Sequence, residues 1–301
     1  MTLKPPLASA ARSDRVVSAV ILMCLYVGLI VCVNAIGKVL TAYHHPLQVV
    51  FFRHAGAGLF MFTMFVSRYG WGVLRASRPG LQIVRGLFAF VSSVLYFSAL
   101  VTTSLATAAA ISFTAPLMVT ALSGPLLGEK VGLHRWGAVL MGFTGALIII
   151  RPGVGGSATW GALMLVGSAC CTGMYQLFTR KLAGQDRAET TAIWAGMVSG
   201  GSITLLVPFV WSLPTVWWVW VLFLSLGLIG GTGHFLLARA FERGPASLLS
   251  PFNYLQLIGA TATGFVLYGD LPDAITWIGA GVIVAAGLYI AWRENARRHA
   301  A

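Results

Sequence analysis

"ALVTTSLATAAAISFTAPLMVTALSGPLLGEKVGLHRW" (99–136) and "AFERGPASLLSPFNYLQLIGATATGFVLYGDLPDAITW" (240–277) align at a constant offset of 141 residues, with no gap. Ala99 falls on Ala240, Gly128 on Gly269, Glu129 on Asp270 and Trp136 on Trp277. A glycine followed by an acid, with a tryptophan at a fixed distance beyond, marks a shared turn with shared flanks. The offset therefore predicts two related halves.

Composition says what medium these halves occupy. The chain of 301 residues is 57% hydrophobic and 9% charged, with a mean hydropathy of +0.83. Soluble domains carry about 25% charged residues, so this is the composition of an integral membrane protein. The apolar runs are continuous rather than alternating, which disfavours a transmembrane β-barrel. A membrane-spanning helix needs ~20 mainly apolar residues. Ten such segments can be placed, at 16–37, 46–67, 80–101, 104–127, 132–150, 159–179, 190–210, 216–239, 246–269 and 273–292. The fold class expected is an all-α polytopic membrane protein. A tail (1–15) precedes a first five-helix repeat (16–150), followed by a second, inverted repeat (155–292) and a basic tail (293–301). The opening stretch is basic and then apolar, but its apolar run continues from Val16 to Gly37 without a clear small-residue cleavage site. It reads as a retained first helix rather than a secretion signal.

Charge placement predicts orientation, because Lys and Arg concentrate on the cytoplasmic side. The net charge is +12, and the chain holds twenty Lys and Arg in all. With ten spans, sixteen fall on the side of both termini, only Lys38 and Arg151 fall opposite, and Arg53 and Arg85 lie inside spans. Both termini are therefore expected in the cytoplasm. The cations are spread over short loops rather than gathered in one patch, so no nucleic-acid partner is expected. Five spans per half force opposite orientations, placing Glu129 on the cytoplasmic side and Asp270 outside. The four cysteines lie in apolar runs without disulfide or metal spacing and read as apolar filler.

The motifs resemble those of EamA-type members of the drug/metabolite transporter superfamily. The resemblance rests on "FFRHAGAGLF", "LYFSAL", "AISFTAPLMVTALSGPLLGE" and "GFTGALIIIRPG" in the first half. In the second half it rests on "GHFLLARAF", "PASLLSPFNYLQLI" and "LPDAITWIGAGVIVAAGLYI". It covers nearly the whole chain. It implies ten helices in two inverted halves, a bacterial inner-membrane location, and movement of a small metabolite such as an amino acid, S-adenosylmethionine or riboflavin. The halves differ in one respect: Pro251 does not align with Pro116, whose counterpart is Leu257. Inverted repeats recur in secondary transporters, with the substrate site near the midplane between halves.

Polar residues inside the spans are the candidate site. At 1.5 Å per residue, Arg53 sits roughly 10 Å below the outer surface and Arg85 roughly 8 Å above the inner one. Asn34 lies near the outer end of the first span. Tyr175 and His234 lie toward the inside, and Ser112, Asn253 and Gln256 at middle depth. Pro116 and Pro251 each remove a helix hydrogen bond and are the candidate helix breaks for gating. Tyr96 and Trp194 join the substrate-binding candidates, although aromatics at these positions also suit packing. Arg53 can alternatively snorkel outward as an anchor. His54, rotated about 100° from Arg53, is expected to pack against a neighbour. Trp211, Trp217, Trp218 and Trp220 read as an interfacial belt.

All eight acids lie in loops or at span ends. A transporter that trades protons for bulky cations needs a buried acid, so cationic drugs are disfavoured. Buried cations favour a substrate with an anionic or electron-rich group. No HExxH or GxSxG arrangement is present, so an intramembrane enzyme is the weaker alternative, beside a non-transporting structural subunit. No metal and no cofactor is expected. The expected partners are a small-molecule substrate and the lipid bilayer, with either a monomer or a homodimer compatible with the sequence.

Overall fold

The computed structural model describes residues 6–127, 132–151, 157–182, 185–243 and 249–300. Glu129 and Gly128 of the duplicated turn lie outside them. The described residues form helices α1 (Pro6–Thr41), α2 (Pro46–Tyr69), α3 (Pro79–Ala99), α4 (Leu105–Ser112), α5 (Ala115–Leu127) and α6 (Leu133–Ile150). The second half supplies α7 (Ser157–Leu182), α8 (Ala188–Thr204), α9 (Trp217–Arg243), α10 (Leu255–Tyr268) and α11 (Ala274–Ala300). Short 3-10 turns occupy Trp71–Leu74, Val207–Val210 and Ser250–Tyr254.

Eight helices among the described residues are long and apolar enough to cross a membrane, counting α4 and α5 as one. The expected seventh and ninth spans hold shorter helices, α8 with 17 residues and α10 with 14. Where a span was expected at 104–127, the helix breaks at residues 113 and 114. Pro116 has no N–H to offer the Ser112 carbonyl, and its ring opposes a continuous turn. Thr114 Oγ1 donates to the Ile111 carbonyl at 2.7 Å and closes the break locally. The ninth segment changes from 3-10 to α helix at Tyr254 and Leu255, with Pro251 in the first turn of the 3-10 stretch.

α1 packs on α9 and α3 on α7; α2 packs on both α8 and α9; α6 lies against α11, and α4 against α10. Lipid tails are as apolar as leucine, so helices here associate through close packing of small residues rather than through a hydrophobic drive. The α2–α8 crossing shows it: a Cβ on Gly196 would stand 2.5 Å from the Gly58 Cα. Gly145 and Gly279 do the same at the α6–α11 crossing, each blocked by the other's carbonyl oxygen at 2.8 and 2.7 Å.

Contacts between connections sort into two ends. At one end, Lys38 Nζ donates to the carbonyls of Leu100 and Thr103 and caps the C-terminus of α3. There too Arg151 pairs with Asp273, and Gln48 Nε2 donates to the Ser212 carbonyl at 2.8 Å. At the other end, the Ser77 N–H donates to Asp186 at 2.7 Å, and Arg239 pairs with Glu189 at 3.6 Å. The chain leaving Asp186 through α8 reaches Ser212, so that segment runs from one end to the other. The tryptophan belt divides. Trp217 is 76% exposed, whereas Trp211 and Trp220 turn toward Phe52, with ring centroids at 5.9 and 6.0 Å. The filler reading of the cysteines also divides, because Cys32 is exposed on α1 while the other three are partly buried.

Candidate functional site

Arg53 turns into the bundle. Its guanidinium lies 5.3 Å from the centre of the Phe97 ring on α3. Nη1 reaches Ser93 Oγ at 3.5 Å, a long contact, and Nε is buried without a partner. The Gly230 backbone of α9 lies alongside its stem. The phenols of Tyr26 on α1, Tyr96 on α3 and Tyr175 on α7 lie within its electrostatic reach, and the Tyr96 ring packs edge-on against Phe97 at 5.5 Å. His234 on α9 lies near both Arg53 and Arg85. Five helices, α1, α2, α3, α7 and α9, thus bring one guanidinium, three phenols and an imidazole together. No hydrogen bond to another described residue engages the side chains of Tyr26, Tyr96, Tyr175 or His234. His54 is buried and its Nε2 lies 2.7 Å from Ser93 Oγ, so it packs against α3 while Arg53 beside it faces the cluster.

Arg85 is held differently. It is 1% exposed, donates from Nη1 to Thr179 Oγ1 at 3.2 Å and from Nη2 to the Thr191 carbonyl. It lies 5.0 Å from the centre of the Tyr175 ring. One turn away, Gln82 Nε2 donates to Asp186 at 2.8 Å and to Thr191 Oγ1 at 3.3 Å. The result is a polar latch joining α3, the end of α7 and the start of α8. Partial burial raises the pKa of Asp186, but hydrogen bonds from Ser77 and Gln82 outweigh it and hold the carboxyl below its ordinary value. At the opposite end, the Arg151 hydrogen bond does the same for Asp273, which also accepts from the Thr276 N–H at 3.0 Å and so caps α11.

No hydrogen bond or ring contact among the described residues joins the remaining candidates to Arg53. Trp194 donates from Nε1 to the Leu74 carbonyl at 3.0 Å, at the end that carries the latch. Ser112 bonds back to the Ala108 carbonyl of its own helix at 2.7 Å. Asn34 is buried on α1. Asn253 and Gln256 are half-buried at the junction of the 3-10 turn and α10. Pro116 is exposed at the start of α5. Sequence reading missed two members of the cluster, Tyr26 and Ser93. A tyrosine in the inner half of the first span carries the same signal as Tyr96 and was available. Ser93 carries none, since a serine in a transmembrane helix ordinarily bonds its own backbone.

The cluster and the fold around it define a polytopic helical membrane protein with a polar interior site. The EamA-like transporter family model matches the chain twice, over residues 17–151 and 159–292. The chain belongs to the EamA-like transporter family. It is 31% identical over 242 residues to a riboflavin transporter of Rhizobium johnstonii, covering 79% of each chain. It is 28% identical to an S-adenosylmethionine uptake transporter of Rickettsia bellii, over 87% of this chain and 89% of that one. It is 26% identical to a pseudopaline exporter of Pseudomonas aeruginosa, over 91% and 95%. A crystal structure of a protein 22% identical superposes with a TM-score of 0.63, covering 93% of this chain and 97% of that one, so the two share a fold. Family and relatives point to a transporter rather than an enzyme.

Proposed function

We propose that the protein moves a small organic metabolite with an anionic or electron-rich group across the bacterial inner membrane by alternating access. In this reading the chain crosses ten times, in two inverted five-helix halves, with both termini in the cytoplasm. Packing supports the two-fold relation. Exchanging the halves turns the α1–α9 contact into α7–α3 and the α2–α9 contact into α8–α3, and both members of each pair occur. At the offset of 141, Phe113 corresponds to Tyr254, and their rings touch at 4.9 Å between centroids. Residues related by a two-fold axis touch one another only near that axis. The helix breaks fall at this same pair, which makes Pro116 and Pro251 the natural pivots. Asn34, Ser112, Asn253 and Gln256 belong in this reading to the wall around the pivots. Arg85 and Trp194 are assigned to holding the inner end.

Arg53 carries the reading. An arginine at the bilayer centre costs ~2.5–3.5 kcal/mol on insertion scales and less nearer the surface, and among the described residues Arg53 has neither a carboxylate in contact nor a strong hydrogen bond. A substrate's own acceptor groups are its missing partner. The test is uptake into proteoliposomes against a panel of amino acids, nucleosides and flavins. Saturable uptake of at least one compound, absent from protein-free liposomes, is expected. No uptake of any compound at confirmed protein incorporation favours a structural subunit.

A further inference from the structure

We propose that the Arg53 cluster accepts flat, acceptor-rich heteroaromatic ligands that are uncharged or anionic, and rejects ligands of the same shape with a net positive charge. This rests on the transporter reading above and narrows its substrate class. Tyr96 packs edge-on at 5.5 Å against the Phe97 ring that faces the Arg53 guanidinium, Tyr26 lies against Gly233 beside His234, and Tyr175 lies between the two arginines' surroundings, 5.0 Å from the Arg85 guanidinium and within electrostatic reach of Arg53; none of the three side chains is engaged by a hydrogen bond among the described residues. Tyr26 and Tyr175 are half-buried rather than sealed. Unengaged phenols at this depth offer ring faces and edges to a planar ligand, and hydroxyls to its ring nitrogens and carbonyls. The guanidinium adds up to five donors and no acceptor, and its Nε is unsatisfied.

Charge then selects. Arg53 lies in the cluster, and Arg85 in the neighbouring latch acts on the same His234 imidazole, so the field of two cations bears on the site. The acids that the structure describes in full, Asp186, Glu189, Asp270 and Asp273, lie at helix ends or in connections, and none touches Arg53. A sulfonium or ammonium brought in here meets the Arg53 guanidinium, the field of Arg85 and, among the described residues, no carboxylate, a like-charge placement that low dielectric makes worse. Tyr26 is a specificity residue in this account. It lies against Gly233 of α9, next to His234, and within electrostatic reach of Tyr175.

The experiment uses the full chain in proteoliposomes with radiolabelled riboflavin as the probe. S-adenosylhomocysteine and S-adenosylmethionine serve as competitors, since they share an adenine ring and differ by one sulfonium charge. Riboflavin uptake should be saturable, and S-adenosylhomocysteine should inhibit it at a concentration at least tenfold lower than S-adenosylmethionine. Tyr26→Leu and Tyr175→Leu should raise the half-saturation concentration severalfold. Tyr26→Phe keeps the ring but loses the hydroxyl, so its half-saturation concentration should fall between those of wild type and Tyr26→Leu; equal incorporation of every variant controls for folding. Equal or better inhibition by S-adenosylmethionine, or its uptake in place of riboflavin, overturns the charge rule and leaves the transporter reading standing. Quenching of riboflavin fluorescence by solubilised protein without uptake supports the site and overturns the transporter reading. Absence of both binding and uptake, for riboflavin and for S-adenosylhomocysteine alike, overturns the inference.

Discussion

Arg53 and Arg85 are the two arginines inside the spans, and the protein treats them oppositely. Arg85 is sealed, bonded to Thr179 and to the Thr191 carbonyl, and tied through its neighbour Gln82 to Asp186. Arg53 keeps some accessible surface, makes one long contact to Ser93, and has within its electrostatic reach phenols with no hydrogen bond of their own. Each has a buried Nε without a partner, so neither is perfectly satisfied. The difference lies in what surrounds them. The Arg85 environment supplies backbone and hydroxyl acceptors that fix its fork in place. The Arg53 environment supplies rings and donors, a surrounding that suits an incoming acceptor better than it suits the arginine. In the proposed reading, Arg85 holds helices together at its end of the bundle, and Arg53 is kept for a substrate that comes and goes.

Substitution at Arg53 should break this contrast most sharply. Arg53→Gln should lower uptake per molecule more than tenfold while the protein is made and inserted in near-normal amount. Arg53→Lys should restore only part, because an ammonium lacks the planar fork. Uptake by liposomes normalised to protein content checks both. A wild-type rate in Arg53→Gln would turn Arg53 into an anchor.

The next largest effect falls on the frame that both arginines share. Gly196→Val puts a branched side chain where a Cβ alone would stand 2.5 Å from the Gly58 backbone. The α2–α8 crossing must then separate, and membrane abundance should fall severalfold, measured by fluorescence of a fusion on size-exclusion chromatography. Normal abundance and a normal melting temperature would mean that α8 is not fixed against α2.

Arg85→Met should behave as the inverse of Arg53→Gln. It removes two hydrogen bonds to a charged donor, each worth roughly 1.5–3 kcal/mol, offset by the relief of burying no charge. A lower melting temperature in detergent is expected, with flux per surviving molecule within about threefold of wild type. Flux lost at unchanged stability would move Arg85 into the site.

Much of this was legible before any coordinates. Apolar run length placed the helices, because a span must satisfy its own backbone and leaves a long signal. The break before Pro116 followed from a missing N–H. The sides of Lys38 and Arg151 followed from counting, and both meet at one end of the structure. The site was only half legible. Depth along a helix gives the level of Tyr96, Tyr175 and His234, but not the direction of their side chains, which depends on how α3 packs on α7 and α1 on α9. Trp194 had the depth and chemistry of a ligand residue and instead bonds Leu74. Tyr26 carries the same sequence signal as Tyr96, and the approach of α9 through Gly233 sets its neighbours.

The smallest expected effect is on acid stability at the Arg85 end. Asp186 has a lowered pKa, so its contribution is present above the unfolded carboxylate value, about 3.9, and is lost as pH falls through the folded value. Asp186→Asn should leave stability at neutral pH slightly reduced and flatten its decline in acid. Melting curves from pH 3 to pH 7 measure this. An unchanged acid limb would show that the latch does not depend on the carboxylate.

The contrast between the two arginines is tested most directly by equilibrium binding of riboflavin to purified wild type, Arg53→Gln and Arg85→Met in one detergent, followed by fluorescence quenching. The account predicts saturable binding by wild type, at least tenfold weaker binding by Arg53→Gln, and binding by folded Arg85→Met within about threefold of wild type. Binding retained in Arg53→Gln and lost in folded Arg85→Met would contradict it.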